Sequence, residues 1–376
     1  EQQRGISITS TVLQFPYRDC VVNLLDTPGH RDFSEDTYRV LAAADAAVMV
    51  LDAAKGIEPQ TLKLFEVAKS RQIPIITFIN KWDRPGLDPL ELLDQIDQKI
   101  GVTAAPVTWP VGIAGDFRGV IDRRTNQFIR FTRTARGATE APEEIVDAER
   151  AAAEEGESWT AAAEGDEMLQ AMGLDYDEEL FLGGELSPTF FGSAITNFGV
   201  RLLLDGVIDL APAPSARLDV DDEPRPLDAP FSGFVFKVQA NMDKAHRDRS
   251  AFMRVCSGVF ERGMVVTHDA TGKPFATKYA HTVNGADRET LDTAYPGDVV
   301  GLVNAMDVRV GDTLWLDQKV TFPRIPTFAP EHFVTASAGD IGRYKQFRRG
   351  IDQLDQEGVV QVLRSDLRGD QNPVLA

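Results

Sequence analysis

Over the first half of the chain, continuous apolar runs alternate with helix-spaced stretches. The runs lie near 20–25, 46–51, 74–79, 105–109 and 188–192. Each has the length and near-unbroken apolar character of a strand buried on both faces. Between them, residues near 33–43, 58–71, 88–100 and 199–210 read as helices. This alternation predicts an α/β domain over 1–212, built on a parallel sheet with helices on both faces. The pattern then changes. A linker rich in Pro, Ala and Asp covers 213–230. Residues 231–322 alternate like strands and are broken by Ser257-Gly258, Arg262-Gly263, Pro296-Gly297-Asp298 and Val310-Gly311-Asp312, which predicts a small antiparallel β-barrel. Pro323 to Pro330 reads as a second linker, and 323–376 as the start of an α+β domain with a helix near 339–355.

Candidate chemistry falls at the ends of the apolar runs, where open α/β sheets bind ligands. After Cys20–Leu25 comes Asp26-Thr27-Pro28-Gly29-His30. An acid at a strand end can hold Mg²⁺ through water, and a following glycine N–H can meet a γ-phosphate. His30 then stands where an attacking water needs orienting. D-x-x-G alone is a common turn; the second run changes the picture. Ile73–Ile79 ends in Asn80-Lys81-Trp82-Asp83. The Asp83 carboxylate can accept from guanine N1–H and the 2-amino group, whereas adenine would leave it buried and unpaired. Asn80 can serve the Hoogsteen edge and support neighbouring loops, and the Lys81 stem can cover the base face. A bland alternative makes Asp83 the cap of the next helix. The third run, Pro188–Gly192, ends at Ser193-Ala194, small residues that let backbone N–H groups approach guanine O6.

The chain opens with Arg4-Gly5-Ile6-Ser7-Ile8-Thr9. Arg-Gly-Ile-Ser-Ile before a strand, then DTPGH, then NKxD, resembles the translational GTPases, the class of elongation factors Tu and G. The resemblance extends over essentially the whole chain. It implies a P-loop-type GTPase domain, a β-barrel second domain and a partial third domain, with GTP/GDP and Mg²⁺ as cofactors. It further implies that Ser7 ligates Mg²⁺ in a first switch segment, that Ile6 is an apolar gate, and that His30 is catalytic. Serine at position 7, Phe198-Gly199-Val200, and the segment from Phe231 to Asp243 continuing to Val255 favour the release-factor branch over the translocases. That branch implies a ribosome-dependent GTPase of translation termination that recycles class I release factors, with ribosomal RNA and proteins as partners. Alternatives are an elongation factor G-like or ribosomal protection GTPase and, from another class, a non-hydrolysing ribosome-binding protein on a degenerate GTPase fold. No G-x-x-x-x-G-K-[ST] occurs in the sequence. That loop supplies the phosphate nest, its lysine and a Mg²⁺-binding hydroxyl. The expectation is therefore a fragment that lacks its first strand and phosphate loop, is inactive alone, and stops within its third domain.

Composition adds limits. Two cysteines, Cys20 and Cys256, do not make a disulfide framework. The scattered histidines His246, His268, His281 and His332 read as surface or packing residues. No apolar run reaches membrane-span length, and Ala46–Leu51 is bounded by Asp45 and Asp52. A cytoplasmic monomer without membrane or DNA partners is expected. The net charge of −19 is uneven: residues 138–190 hold sixteen acids and one base, Arg150, while the rest of the chain carries only −4. The acidity belongs to an insertion at about 112–187, whose Ala/Glu-rich part over 142–172 reads as helical. It serves either as a solvated face or as a contact for a basic partner. Arg343, Lys345, Arg348 and Arg349, and separately Arg247, Arg249 and Arg254, are candidate phosphate contacts.

Overall fold

The structure, a computed structural model, describes residues 10–27, 34–132, 142–240, 249–284, 287–303, 305, 307–325, 330, 332–358, 360–364 and 372–376. It divides into two compact units, 44–213 and 1–43 with 214–376.

In the 44–213 unit, four parallel strands lie in the order Ala47–Asp52, Ile75–Asn80, Leu186–Phe191, Thr103–Pro106. The two central strands are buried almost throughout, which is why they read as unbroken apolar runs. Their buried hydroxyls are satisfied: Thr77 Oγ1 lies 2.8 Å from Ser187 Oγ, and Ser187 donates to the Ile75 carbonyl. Helices Pro59–Ser70 and Pro89–Ile100 form crossovers between these strands, and Val200–Leu210 follows the last of them. Proline opens the first two, and the second is capped by Asp88, which accepts from the Leu90 N–H at 2.9 Å. Gly206 lets the last helix close on the sheet, since a Cβ there would lie 2.2 Å from the Phe190 ring.

The run at 105–109 is not one strand. Thr103–Pro106 stays in the parallel sheet, whereas Thr108–Val111 opens an antiparallel meander with Gly119–Asp122, Gln127–Phe131 and Glu143–Val146. Pro106 supplies no N–H to the ladder, and the chain switches sheets at Val107. The acidic stretch is likewise not all helix. Glu143–Val146 is a strand, and helices Ala148–Glu155 and Glu157–Ala171 follow it.

In the other unit the expected parallel strand at 20–25 is instead half of a hairpin. Cys20–Asp26 pairs with Thr11–Tyr17 around Arg18-Asp19, and Arg18 adopts a φ of 51°. The hairpin joins an antiparallel sheet through Leu13 opposite Asn284. A hairpin satisfies most of its ladder locally, so only its outer edge needs a partner, and the strand Ala280–Asn284 offers one. The rest of this sheet is an antiparallel half-barrel whose longest strands are Ser232–Ala240 and Arg249–Ser257. Val235, Met253, Val255, Phe260, Leu302 and Leu314 fill its core. Helix Tyr344–Glu357 follows, near a small antiparallel sheet of Val334–Thr335, Val374–Leu375 and Val362–Leu363.

Candidate functional site

The neighbouring strands Ile75–Asn80 and Leu186–Phe191 run in register, with Ile79 opposite Phe191. Parallel pairing therefore delivers Asn80–Asp83 and Ser193-Ala194 to the same end of the sheet. The Gly192 N–H donates to the Ile79 carbonyl at 2.9 Å, and the Trp82 N–H to the Gly192 carbonyl at 3.1 Å. Gly192 is a residue that the motif reading missed. A Cβ there would lie 2.5 Å from the Phe198 carbonyl oxygen and 2.6 Å from the Phe78 ring, so only glycine lets the two loops close up.

Side chains lock the loops together. Asn80 Oδ1 accepts from the Ala194 N–H at 2.9 Å and from the Lys81 N–H at 2.8 Å. This is the loop-supporting role expected of Asn80, and it leaves the amide Nδ2 as a donor. The Ser193 hydroxyl donates to Asp83 Oδ1 at 2.6 Å. Ser193 is itself fixed by a reciprocal backbone pair with Phe198, at 2.9 and 3.1 Å. Asp83 thus has one oxygen engaged by a neutral donor, while its second lies 3.8 Å from Arg84 Nε. It does not cap a helix, because Asp88 holds that position.

Lys81 takes a left-handed backbone, φ 68°, rare for a residue with a Cβ. Its ammonium lies 2.7 Å from Asp52 Oδ2, at the end of the adjoining strand, where Asp52 stands opposite Asn80. Partial burial opposes ionisation of Asp52. The Lys81 hydrogen bond, the Ala54 N–H, and the Lys81 and Lys55 charges outweigh it and hold the carboxyl below its ordinary value. Trp82 points the other way. Its side chain is fully buried, edge-on to Phe191 with ring centroids 5.0 Å apart, and Nε1 donates to the Gly112 carbonyl at 3.4 Å. It braces the loop from the core.

Asp26 and Thr27 end the hairpin in the other unit, with Asp26 opposite Thr11. Ile6, Ser7, Pro28, Gly29 and His30 lie outside the described residues. Of the barrel arginines, Arg247 also lies outside them, and two are not phosphate contacts. Arg249 and Arg254 are 4% and 8% exposed, donating to the carbonyls of Val308 and Ala43. Arg343, Lys345, Arg348 and Arg349 are exposed. His268 is a packing residue, as expected, 2.7 Å from Asp312 in the interior. No group of three or more metal-ligating side chains occurs among the described residues, and none of their helices is long and apolar enough to cross a membrane.

A parallel sheet presenting this Asn-Lys-x-Asp and Ser-Ala constellation, followed by an antiparallel half-barrel, defines a translational GTPase. Family models agree along the chain: the elongation factor Tu GTP binding domain matches residues 1–213 and elongation factor G domain 2 matches 230–316. A crystal structure of a Thermus thermophilus protein shares the fold, with a TM-score of 0.76 at 21% identity, and this chain spans 56% of that one. The model of the class II release factor RF3 C-terminal domain matches 322–376. The whole chain is 50% identical to peptide chain release factor 3 of Gloeobacter violaceus, covering 71% of it, and 50% identical to that of Microcystis aeruginosa, covering 70%. The chain belongs to the peptide chain release factor 3 family, GTP-binding factors of translation termination.

Proposed function

We propose that the full-length protein is a ribosome-dependent GTPase that promotes recycling of class I release factors after peptide release. The observation that carries the reading is the locked guanine-type constellation of Asn80, Asp83, Ser193 and Ala194. Asp83 accepts from guanine N1–H and the 2-amino group, which adenine cannot offer together. The backbone around Ala194, held by Asn80, meets O6. The half-exposed Lys81 stem covers one face of the base.

Asp26, at a strand end, and Ser7 offer the hard oxygen donors that suit Mg²⁺, Asp26 through water. Bound there, the ion would neutralise phosphate charge. Gly29 donates its N–H to the γ-phosphate, and His30 orients the attacking water. Hydrolysis removes the γ-phosphate contacts, frees the switch segments and shifts the domains on the ribosome. Arg343, Lys345, Arg348 and Arg349 contribute phosphate contacts to ribosomal RNA. The protein works as a cytoplasmic monomer.

The test uses post-termination ribosomes carrying a fluorescent class I release factor. Full-length protein with GTP accelerates dissociation of that factor. His30→Ala binds GTP with nearly unchanged affinity but slows ribosome-stimulated hydrolysis by about tenfold or more. Unaccelerated dissociation removes the recycling role, and an unchanged hydrolysis rate in the variant removes the catalytic role of His30.

A further inference from the structure

The ammonium of Lys81 is pinned at the far end of a four-carbon stem. Its partner Asp52 is no chance surface neighbour. Asp52 and Asn80 are opposite residues of paired parallel strands, so the register that builds the sheet also sets Asp52 beside the base-reading loop. The Ala53 N–H donates to the Asn80 carbonyl at 3.0 Å and ties the following turn to the same place. Asp52 Oδ1 accepts from the Ala54 N–H at 2.9 Å, which orients the carboxylate and leaves Oδ2 for Lys81 at 2.7 Å. The rest of the turn is equally fixed. The Gly56 N–H closes on the Asp52 carbonyl at 2.8 Å, and Gln95 Oε1 accepts from the Ile57 N–H at 3.3 Å.

Both ends of Lys81 are therefore held. The backbone end is left-handed and bonded to Asn80 Oδ1, and the ammonium end is bonded to Asp52. A lysine tethered at one end only samples many rotamers, and a ligand resting on it must stop that motion at an entropic cost. With both ends fixed, the methylenes form a ready platform. The Lys81 side chain remains 46% exposed, against 17% for Asp52, so the platform keeps an open face while its anchor is sheltered. Lys55, the other cation acting on Asp52, has its own partner in Glu58 at 3.3 Å.

We infer that Asp52 is a positioning residue of the guanine site, holding the Lys81 ammonium so that the lysine stem is preorganised as one wall of the base pocket. This rests on the guanine reading proposed above. Asp52 touches no nucleotide atom; it slows nucleotide escape by keeping the wall in place.

The experiment measures dissociation of fluorescent GDP from the full-length protein by stopped flow. Asp52→Asn keeps the acceptor for the Ala54 N–H but loses the charge. It accelerates dissociation by about two- to fivefold, the range expected for loss of a partly exposed ion pair. Lys81→Met keeps an unbranched apolar stem without the anchor and accelerates dissociation to a similar degree. In the Lys81→Met background, Asp52→Asn has no further effect, because its action runs through the ammonium. A wild-type rate in either single variant overturns the proposal. So does an Asp52→Asn effect that persists undiminished beside Lys81→Met, which would assign Asp52 to the turn alone. Asp83→Asn separates this failure from failure of the guanine reading. If it shifts preference from GTP to xanthosine triphosphate while Asp52→Asn changes nothing, only the Asp52 role falls. If it leaves the preference for GTP intact, the guanine reading falls first.

Discussion

Replacing Asp83 with asparagine tests the base assignment directly, and the structure specifies how the new amide must sit. In the wild type the Ser193 hydroxyl donates to Oδ1 at 2.6 Å, and Ser193 is held by its backbone pair with Phe198. The asparagine keeps its carbonyl oxygen against that hydroxyl and places its NH₂ where Oδ2 was. A donor then faces the guanine 2-amino donor. The loss comprises one bond to a charged acceptor, about 1.5–3 kcal/mol, and the desolvation cost of the guanine amino donor left facing another donor, about 1–3 kcal/mol, or ~3–6 kcal/mol together. At about 1.4 kcal/mol per decade, GTP binds roughly 10²- to 10⁴-fold more weakly. Xanthine carries a carbonyl in place of the 2-amino group, so xanthosine triphosphate meets the new donor with an acceptor and recovers much of that loss. The assay is competition of the two triphosphates against a fluorescent guanine nucleotide, on wild-type and variant full-length protein. A helix-capping role predicts no change, since asparagine caps as well as aspartate. Asp88 already fills the cap, and Asp83 is left without that duty. Unchanged preference for GTP would refute the guanine site at Asp83.

Two further outcomes concern residues 1–376 themselves. Without a G-x-x-x-x-G-K-[ST] loop in the sequence, they bind GTP very weakly and do not hydrolyse it, because each missing charge-assisted phosphate bond forfeits about 1.5–3 kcal/mol; micromolar or tighter binding by isothermal titration would contradict this. Asp166→Ala destabilises the 44–213 unit by about 1–3 kcal/mol, since the buried Arg123 loses its 2.6 Å partner at Nε while Asp175 and the carbonyls of Pro106 and Leu174 still hold its other nitrogens; a urea midpoint within experimental error of the wild type would show the pair to be dispensable.

The features that the sequence made legible were those in which local pattern and global role coincide. Ile75–Asn80 and Leu186–Phe191 are central strands, buried on both faces, and nothing but an apolar run satisfies that environment. Their ends carry Asn80–Asp83 and Ser193-Ala194, so finding the strands located the proposed guanine site. Elsewhere the local pattern fits more than one environment. Cys20–Asp26 has strand character, but periodicity cannot name its partner, and it lies in a hairpin at the edge of the half-barrel sheet. Pro106 concealed a change of sheet inside a single apolar run. Trp82 sits at the variable position of N-K-x-D, where the motif offers no hint that its side chain braces the core. Asp52 carries no motif at all. Only the strand register, which pairs it with Asn80, reveals it.

The acidic insertion shows the same limit in electrostatic terms. Counted along the chain, the window 138–190 has a single base against sixteen acids, which suggests a large unscreened charge. Folding brings in cations from outside that window. Arg118 reaches Glu155 at 3.1 Å, and Arg130 lies 2.6 Å from Glu154 and 2.8 Å from Glu155. Arg201 pairs with Glu143, and Arg123 joins Asp166 and Asp175 while donating to the carbonyls of Pro106 and Leu174. Within the window, Arg150 pairs with both Glu144 and Glu154, and together with Arg130 it holds the Glu154 carboxyl below the usual carboxylate range. The bases lie on strands or loops just upstream of the window, or on the helix after it, and the acids lie on the helices and strand, or, for Asp175, in the loop after helix Glu157–Ala171. Most of these pairs keep at least one partner exposed, and each contributes little to stability. Their effect is on the charge itself: a substantial share of the excess is matched internally, so net charge read along the chain overstates the field available to a basic partner. Arg123 differs in being buried. With two carboxylates and two backbone carbonyls converging on it from the strand before the meander and the end of the second acidic helix, it fixes the insertion against the parallel sheet.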